Sequence, residues 1–190
     1  MANTQTKKLV MLSVLSAITL VLQLLGSSIK VGSLFSISLV LVPIVVGAAI
    51  CGKYSGAWLG FVFGLSVLIS GDALPFWAVS PFGTILTVLL KGILCGLAAE
   101  LCYKAVSKLS TVGATFASAI VCPVVNTGIF LIGCKLFFME LITQWAAAFG
   151  FESVGSYIIF GLVGINFLVE IGTNLVLSPI IVRLIKISEK

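Results

Sequence analysis

The sequence predicts an all-α integral membrane protein, a compact bundle of six transmembrane helices with both termini cytoplasmic. Three observations carry that expectation. Of the 190 residues, 60% are hydrophobic and only 9% charged, with a mean hydropathy of +1.28, whereas an average soluble domain has about 25% charged residues. The apolar residues come in six runs separated by short polar, glycine-bearing or proline-bearing breaks. The basic residues gather on alternate breaks. At about 20 residues per crossing, residues 1–190 hold a single bundle, with no room for a soluble catalytic or nucleotide-binding domain.

The first run, 9–25, follows Lys7 and Lys8. It is longer than a signal-peptide core, has no A-x-A cleavage site and is followed by five more runs, so it reads as the first helix. The second helix spans 36–50 and contains Pro43; a polar turn at 51–54 leads to the third, 55–70. The segment 71–81, with Asp72, Pro75 and Pro81, reads as a loop, because proline breaks a helical interior. Helices follow at 82–103, 112–138 and 157–185, with a second long loop at 139–156.

Short cytoplasmic loops are enriched in Lys and Arg. Under this assignment Lys7, Lys8, Lys53, Lys104, Lys108, Arg183, Lys186 and Lys190 lie on one side, and only Lys30 and Lys135 on the other. The first side is therefore cytoplasmic, and the connection 26–35 and both long loops face outside. The formal charge of +5 marks topology rather than a nucleic-acid surface, because the basic residues form no patch. Histidine is absent, which removes the commonest metal ligand and general base. The five cysteines lie in or beside apolar runs without a CxxC pair, so they read as small buried hydrophobes. No metal, cofactor or nucleic acid is implied.

Gly52, Gly56, Gly60 and Gly64 recur every four residues in and beside the third helix, a spacing that lets helix backbones approach closely in lipid. Internal packing is the favoured role and a moving or partner-binding face the alternative. Polar residues inside hydrocarbon are costly unless they are paired or line a cavity. Asn166, Glu170 and Asn174 form a stripe about 80° wide on the sixth helix. Ser118, Cys122 and Asn126 share a face of the fifth, near Pro123, and Thr84, Thr87 and Lys91 share one of the fourth. Lys91, Asn126 and Asn166 lie roughly 13, 20 and 15 Å from the outer mouth at about 1.5 Å per residue. Two roles compete at nearly even weight: a buried Lys91–Glu170 pair that fixes helix register, or an outward-opening pocket for a small polar molecule. The surplus of amides favours the pocket. In the outer loop, Phe76 and Trp77 are either an interfacial anchor or a lid, and Trp58 and Trp145 read as interfacial residues without a role.

The order of SxxSA in the first helix, VPIVVGAAICGKYSGAWLGFVFGL, PFWAVSPFGT, LKGILCGLAAELCYK and PVVNTGIF resembles the substrate-binding S components of energy-coupling factor (ECF) transporters, across essentially the whole chain. The resemblance implies a non-enzymatic vitamin receptor, multi-pass in the cell membrane. Its partners are a transmembrane coupling protein and two cytoplasmic ATPases. The ligand sits among the fourth to sixth helices and the outer loops, which points to Lys91, Asn126, Asn166, Glu170, Asn174, Thr87, Trp77 and Phe76. The family's AxxxA docking face on the first helix corresponds here to Ser13, Ser16 and Ala17. A cationic Lys91 suits a carboxylate-bearing vitamin, and few aromatic candidates argue against a large flat ring, so pantothenate precedes riboflavin. An autonomous carrier or channel is the alternative, although no internal repeat of the kind such carriers show is visible. An intramembrane enzyme is less favoured, for want of paired carboxylates or a nucleophile with its base.

Overall fold

Helix α1 (Thr4–Ser28) is the longest continuous apolar stretch of the N-terminal half, and most of its side chains are exposed. It opens a computed structural model that describes residues 4–28, 30–31, 35–36 and 39–188. A two-residue antiparallel bridge, β1 (Lys30–Val31) with β2 (Phe35–Ser36), links it to α2 (Leu41–Ile50). Then follow α3 (Ser55–Ser70), α4 (Leu74–Val79), α5 (Pro81–Val106), α6 (Thr111–Phe137), α7 (Met139–Ala148) and the single turn α8 (Val154–Ser156). A π-helix, Tyr157–Val163, runs into α9 (Gly164–Ser188).

Apart from the β1–β2 pair, the elements among the described residues are helical, as an all-α bundle requires. Four segments are long and apolar enough to cross a hydrocarbon layer, Gln5–Ser27, Pro81–Val106, Thr111–Phe137 and Val154–Ile187. Helices α2 and α3 are apolar but shorter, with 10 and 16 residues. The third predicted helix has the observed bounds. The second starts five residues later than expected, at Leu41, and positions 37–38 of its predicted span, like Lys190, fall outside the described residues.

Both predicted outer loops contain helices. Segment 71–81 holds α4, because neither proline is in a helix interior: Pro75 is in the first turn of α4 and Pro81 is the first residue of α5, where no backbone N–H is needed. Ser80 caps α5 by accepting the Gly83 N–H at 3.1 Å. Segment 139–156 holds α7, which is amphipathic and buries Ile142 and Ala146. The wide π turns before α9 bring the Ile159 carbonyl to 2.0 Å from where a β-carbon on Gly164 would stand. Glycine leaves that space open.

Helix α5 is the centre of the bundle, packed between α3 and α6. Its contact with α3 is backbone on backbone. A β-carbon on Gly60 would meet the Gly92 carbonyl oxygen at 1.9 Å, and one on Gly92 would meet the Gly60 oxygen at 2.2 Å. Gly56 and Gly96 repeat the arrangement at 2.2 and 2.0 Å, and Gly64 sits over the Val88 oxygen. The glycine row is thus internal packing. Gly52 does not belong to it: it lies in the α2–α3 turn with φ of 106°.

The N-terminus of α3 has no cap of its own; Tyr54 there is left-handed, with φ of 67°. The Glu100 carboxylate of α5 supplies one, accepting the backbone N–H groups of Tyr54 at 2.9 Å and Gly56 at 3.1 Å while pairing with Lys104. Glu100 is 1% exposed, so Glu170 is not the only acid inside the bundle. The main core fills this end, with Leu41, Ile44, Leu59, Ala99, Ile181 and Ile185 in one cluster.

Adding one methyl group at the α3–α5 contact overpacks backbone against backbone, which costs about 1–3 kcal/mol and outweighs the gain in helix propensity. Gly60→Ala and Gly92→Ala should therefore lower the thermal unfolding temperature in detergent. Gly128→Ala, where a β-carbon meets nothing within 4 Å, should leave it unchanged or raise it slightly. Equal unfolding temperatures for Gly92→Ala and Gly128→Ala would contradict this packing.

Candidate functional site

At the end of the bundle away from Glu100, the helices enclose a cavity of about 490 Å³. Volumes of this order suit a small organic ligand. α1 contributes Gln23, α3 Phe63, the α3–α4 turn Asp72, α4 Phe76, α5 Lys91, α6 Asn126, Thr127 and Phe130, and α7 Trp145; the C-terminal helix contributes Asn166, Phe167 and Glu170. Five of the expected site residues, Lys91, Asn126, Asn166, Glu170 and Phe76, therefore line one space.

Lys91 Nζ lies 5.5 Å from the centre of the Phe63 ring and 5.3 Å from that of Phe130, distances at which a ring quadrupole attracts a cation. Lys91 and Glu170 do not form the direct ion pair weighed above. Among the described residues the ion pair present is Glu100–Lys104. Glu170, 4% exposed, interacts with the Asn126 side chain, whose Oδ1 is buried without a partner.

Three expected residues lie elsewhere. Thr87 is buried on the α5–α6 interface, its side chain occupying the space left by Gly133. Asn174, one turn beyond Glu170, is 1% exposed and does not reach the cavity. Trp77 turns outward and is 42% exposed, because it neighbours Phe76 on a helix and residues one apart point about 100° apart.

The roof of the cavity is a second small core that includes Phe138, Ile142 and Tyr157. Phe76 sits in it edge-on to Phe130, Phe138 and Trp145, at 5.7, 5.0 and 5.6 Å between ring centres. Trp145 thus lines the cavity. The expectation of few pocket aromatics is overturned: Phe63, Phe76, Phe130, Trp145 and Phe167 all contribute. Sequence reasoning also missed Gln23 and Asp72. The signal for Gln23 was available, as the one amide in the apolar run 9–25.

The face of α1 expected to dock a partner is open. Ser13, Ser16 and Ala17 border a shallow groove closed on one side by Trp58, whose Nε1 donates to Ser16 Oγ at 3.1 Å. The Ser13 and Ser16 hydroxyls donate back to the Leu9 and Leu12 carbonyls at 3.0 and 2.8 Å. The groove sets the small side chains of Ser13, Ser16 and Ala17 among Leu9, Leu12, Leu20 and Trp58, and its serine and indole donors are satisfied.

The family model described as ECF transporter, substrate-specific component matches residues 7–182. The chain belongs to that family. ECF substrate-specific components are membrane proteins of transport systems, not enzymes; they bind small-molecule substrates and work with an ECF module. The match begins at residue 7, so the first helix is part of the family domain. No curated protein and no solved structure matches the chain closely enough to carry a comparison.

The two adjacent aromatics of α4 should separate cleanly in function. Phe76→Ala should weaken retention of a small-molecule ligand at least about tenfold, since an aromatic packed edge-on contributes beyond its buried area. Trp77→Ala should leave retention unchanged. Equilibrium dialysis of the purified variants checks this, and equal losses in both would remove Phe76 from the cavity's function.

Proposed function

We propose that this chain is the substrate receptor of an ECF-type importer in the cell membrane. It crosses the bilayer six times with both termini cytoplasmic, captures a vitamin or related micronutrient outside, and delivers it with a transmembrane coupling protein and two cytoplasmic ATPases. Lys91, Asn126, Asn166, Glu170 and Phe76 contact the ligand, and Ser13, Ser16 and Ala17 dock the coupling protein. The orientation is supported by the position of the basic residues: Lys8 approaches the α2–α3 turn that carries Lys53, and Lys104 joins the same end through Glu100. The cavity lies at the opposite end.

The observation that carries the ligand class is the Lys91 ammonium, which faces the cavity between two aromatic rings without a direct carboxylate partner. A charge held away from water calls for a partner of opposite sign, and a ligand carboxylate is that partner. Pantothenate, an acid with amide and hydroxyl groups, is the first substrate. Riboflavin is the second, favoured by the five aromatic side chains around the cavity.

Calorimetric titration of the purified protein with each vitamin tests this. Pantothenate should bind, and Lys91→Met should weaken it by about 10- to 150-fold, the equivalent of about 1.5–3 kcal/mol for a hydrogen bond to a charged group. Riboflavin binding that ignores Lys91→Met would replace the first substrate by the second.

Docking in lipid gains nothing from apolarity and depends on close backbone approach. Ala17→Trp should therefore abolish co-purification with the coupling protein and ATPases while ligand affinity stays at the wild-type value. Intact assembly in Ala17→Trp would move the docking face off α1.

A further inference from the structure

At the α1 side of the cavity stands a polar group that the binding residues proposed above do not include. Asp72 lies in the turn between α3 and α4, just after Gly71, whose φ of 88° is a left-handed conformation that glycine adopts without strain. Gln23 reaches it from α1 and is 6% exposed. Gln23 Nε2 donates to Asp72 Oδ2 at 2.7 Å and lies 3.5 Å from Ser70 Oγ, and Ser70 Oγ, with one hydrogen, is placed to donate to the Val67 carbonyl at 3.1 Å or to the same Asp72 Oδ2 at 3.2 Å. Among the described residues every donor falls on Oδ2. Asp72 Oδ1 and Gln23 Oε1 receive none, and both residues line the cavity.

We propose that Asp72 and Gln23 form a second polar subsite that reads hydrogen-bond donors, so that the ligand is an acid that also bears hydroxyl groups. This rests on the receptor reading above and extends it. With the Gln23 amide N–H₂ already committed to Asp72 and Ser70, what the subsite offers a ligand is acceptor oxygen. A ligand O–H satisfies these oxygens, while a second carboxylate is repelled. Lys91, on α5 and lining the same cavity, presents only donors. The two groups therefore have opposite hydrogen-bonding character. A molecule lacking the hydroxyls leaves the acceptors unpaired in a partly dry site, and such mismatches discriminate more strongly than a missing methylene.

A merely architectural Gln23–Asp72 tie between α1 and the turn is distinguished by an isosteric change. Asp72→Asn can still accept the Gln23 N–H through its carbonyl oxygen, but it replaces the second acceptor with a donor. The probes are pantothenate and N-(3,3-dimethylbutanoyl)-β-alanine, which keeps the carboxylate and amide and lacks both hydroxyls. Wild-type protein should bind pantothenate at least about tenfold more tightly than the analogue. Asp72→Asn should erase that preference by weakening pantothenate alone, with the unfolding temperature unchanged. Lys91→Met should weaken both compounds by the same factor, because both carry the carboxylate.

Equal weakening of both compounds in Asp72→Asn, or a preserved preference, would overturn the subsite while leaving the Lys91 assignment standing. Loss of the preference in Asp72→Asn together with unchanged binding of both compounds in Lys91→Met would uphold the subsite and overturn the carboxylate role of Lys91. Wild-type protein that binds neither compound would overturn the pantothenate assignment and this inference together.

Discussion

The backbone contact of α3 with α5 is the constraint on which the rest of the bundle depends. In lipid the hydrophobic effect does not press helices together, so association relies on packing and hydrogen bonds. Gly56 and Gly60 meet Gly96 and Gly92 with carbonyl oxygens where side chains would otherwise stand. That contact fixes the register and the rotation of α5 at once. Lys91 immediately precedes Gly92, and Phe63 is three residues beyond Gly60. Once the glycines are in contact, the Lys91 ammonium comes to lie 5.5 Å from the Phe63 ring centre. The cation of the cavity is thus aimed by a contact outside the cavity.

From this spine the molecule divides into two unlike ends. At one, the main apolar cluster and the buried Glu100 cap close the bundle. At the other, the helices separate around the cavity, and α4 and α7 lay an aromatic cluster across it. The roof elements are short and connected by turns at Gly71 and Gly150, both with positive φ.

Much of this was legible in the sequence because lipid imposes simple rules. Apolar runs gave the helices, glycine spacing gave a close contact, and intramembrane Lys91, Asn126, Asn166 and Glu170 marked the cavity since each is costly elsewhere. The failures have equally physical causes. Prolines at 75 and 81 read as helix breakers in the sequence, but at helix starts they are favourable. Asn174 shares a helix face with Glu170 but lies one turn beyond the cavity, and Thr87, beside the lining Val88, faces Gly133 of α6 instead. Asp72, Gln23 and Trp145 come together from α1, a turn and α7, and no periodicity within one helix encodes a meeting of three elements. The capping role of Glu100 is not legible because the groups it caps are backbone N–H groups of α3, which leave no mark in side-chain patterns.

The central claim is that the cavity around Lys91 holds a carboxylate-bearing vitamin. Native mass spectrometry of the wild-type protein, gently extracted from cells grown in rich medium, tests it most directly. The account predicts one small-molecule adduct per chain, released on activation, whose mass and fragmentation identify a vitamin with a free carboxylate. A protein that carries only lipid, or a bound small molecule without an acidic group, would contradict it.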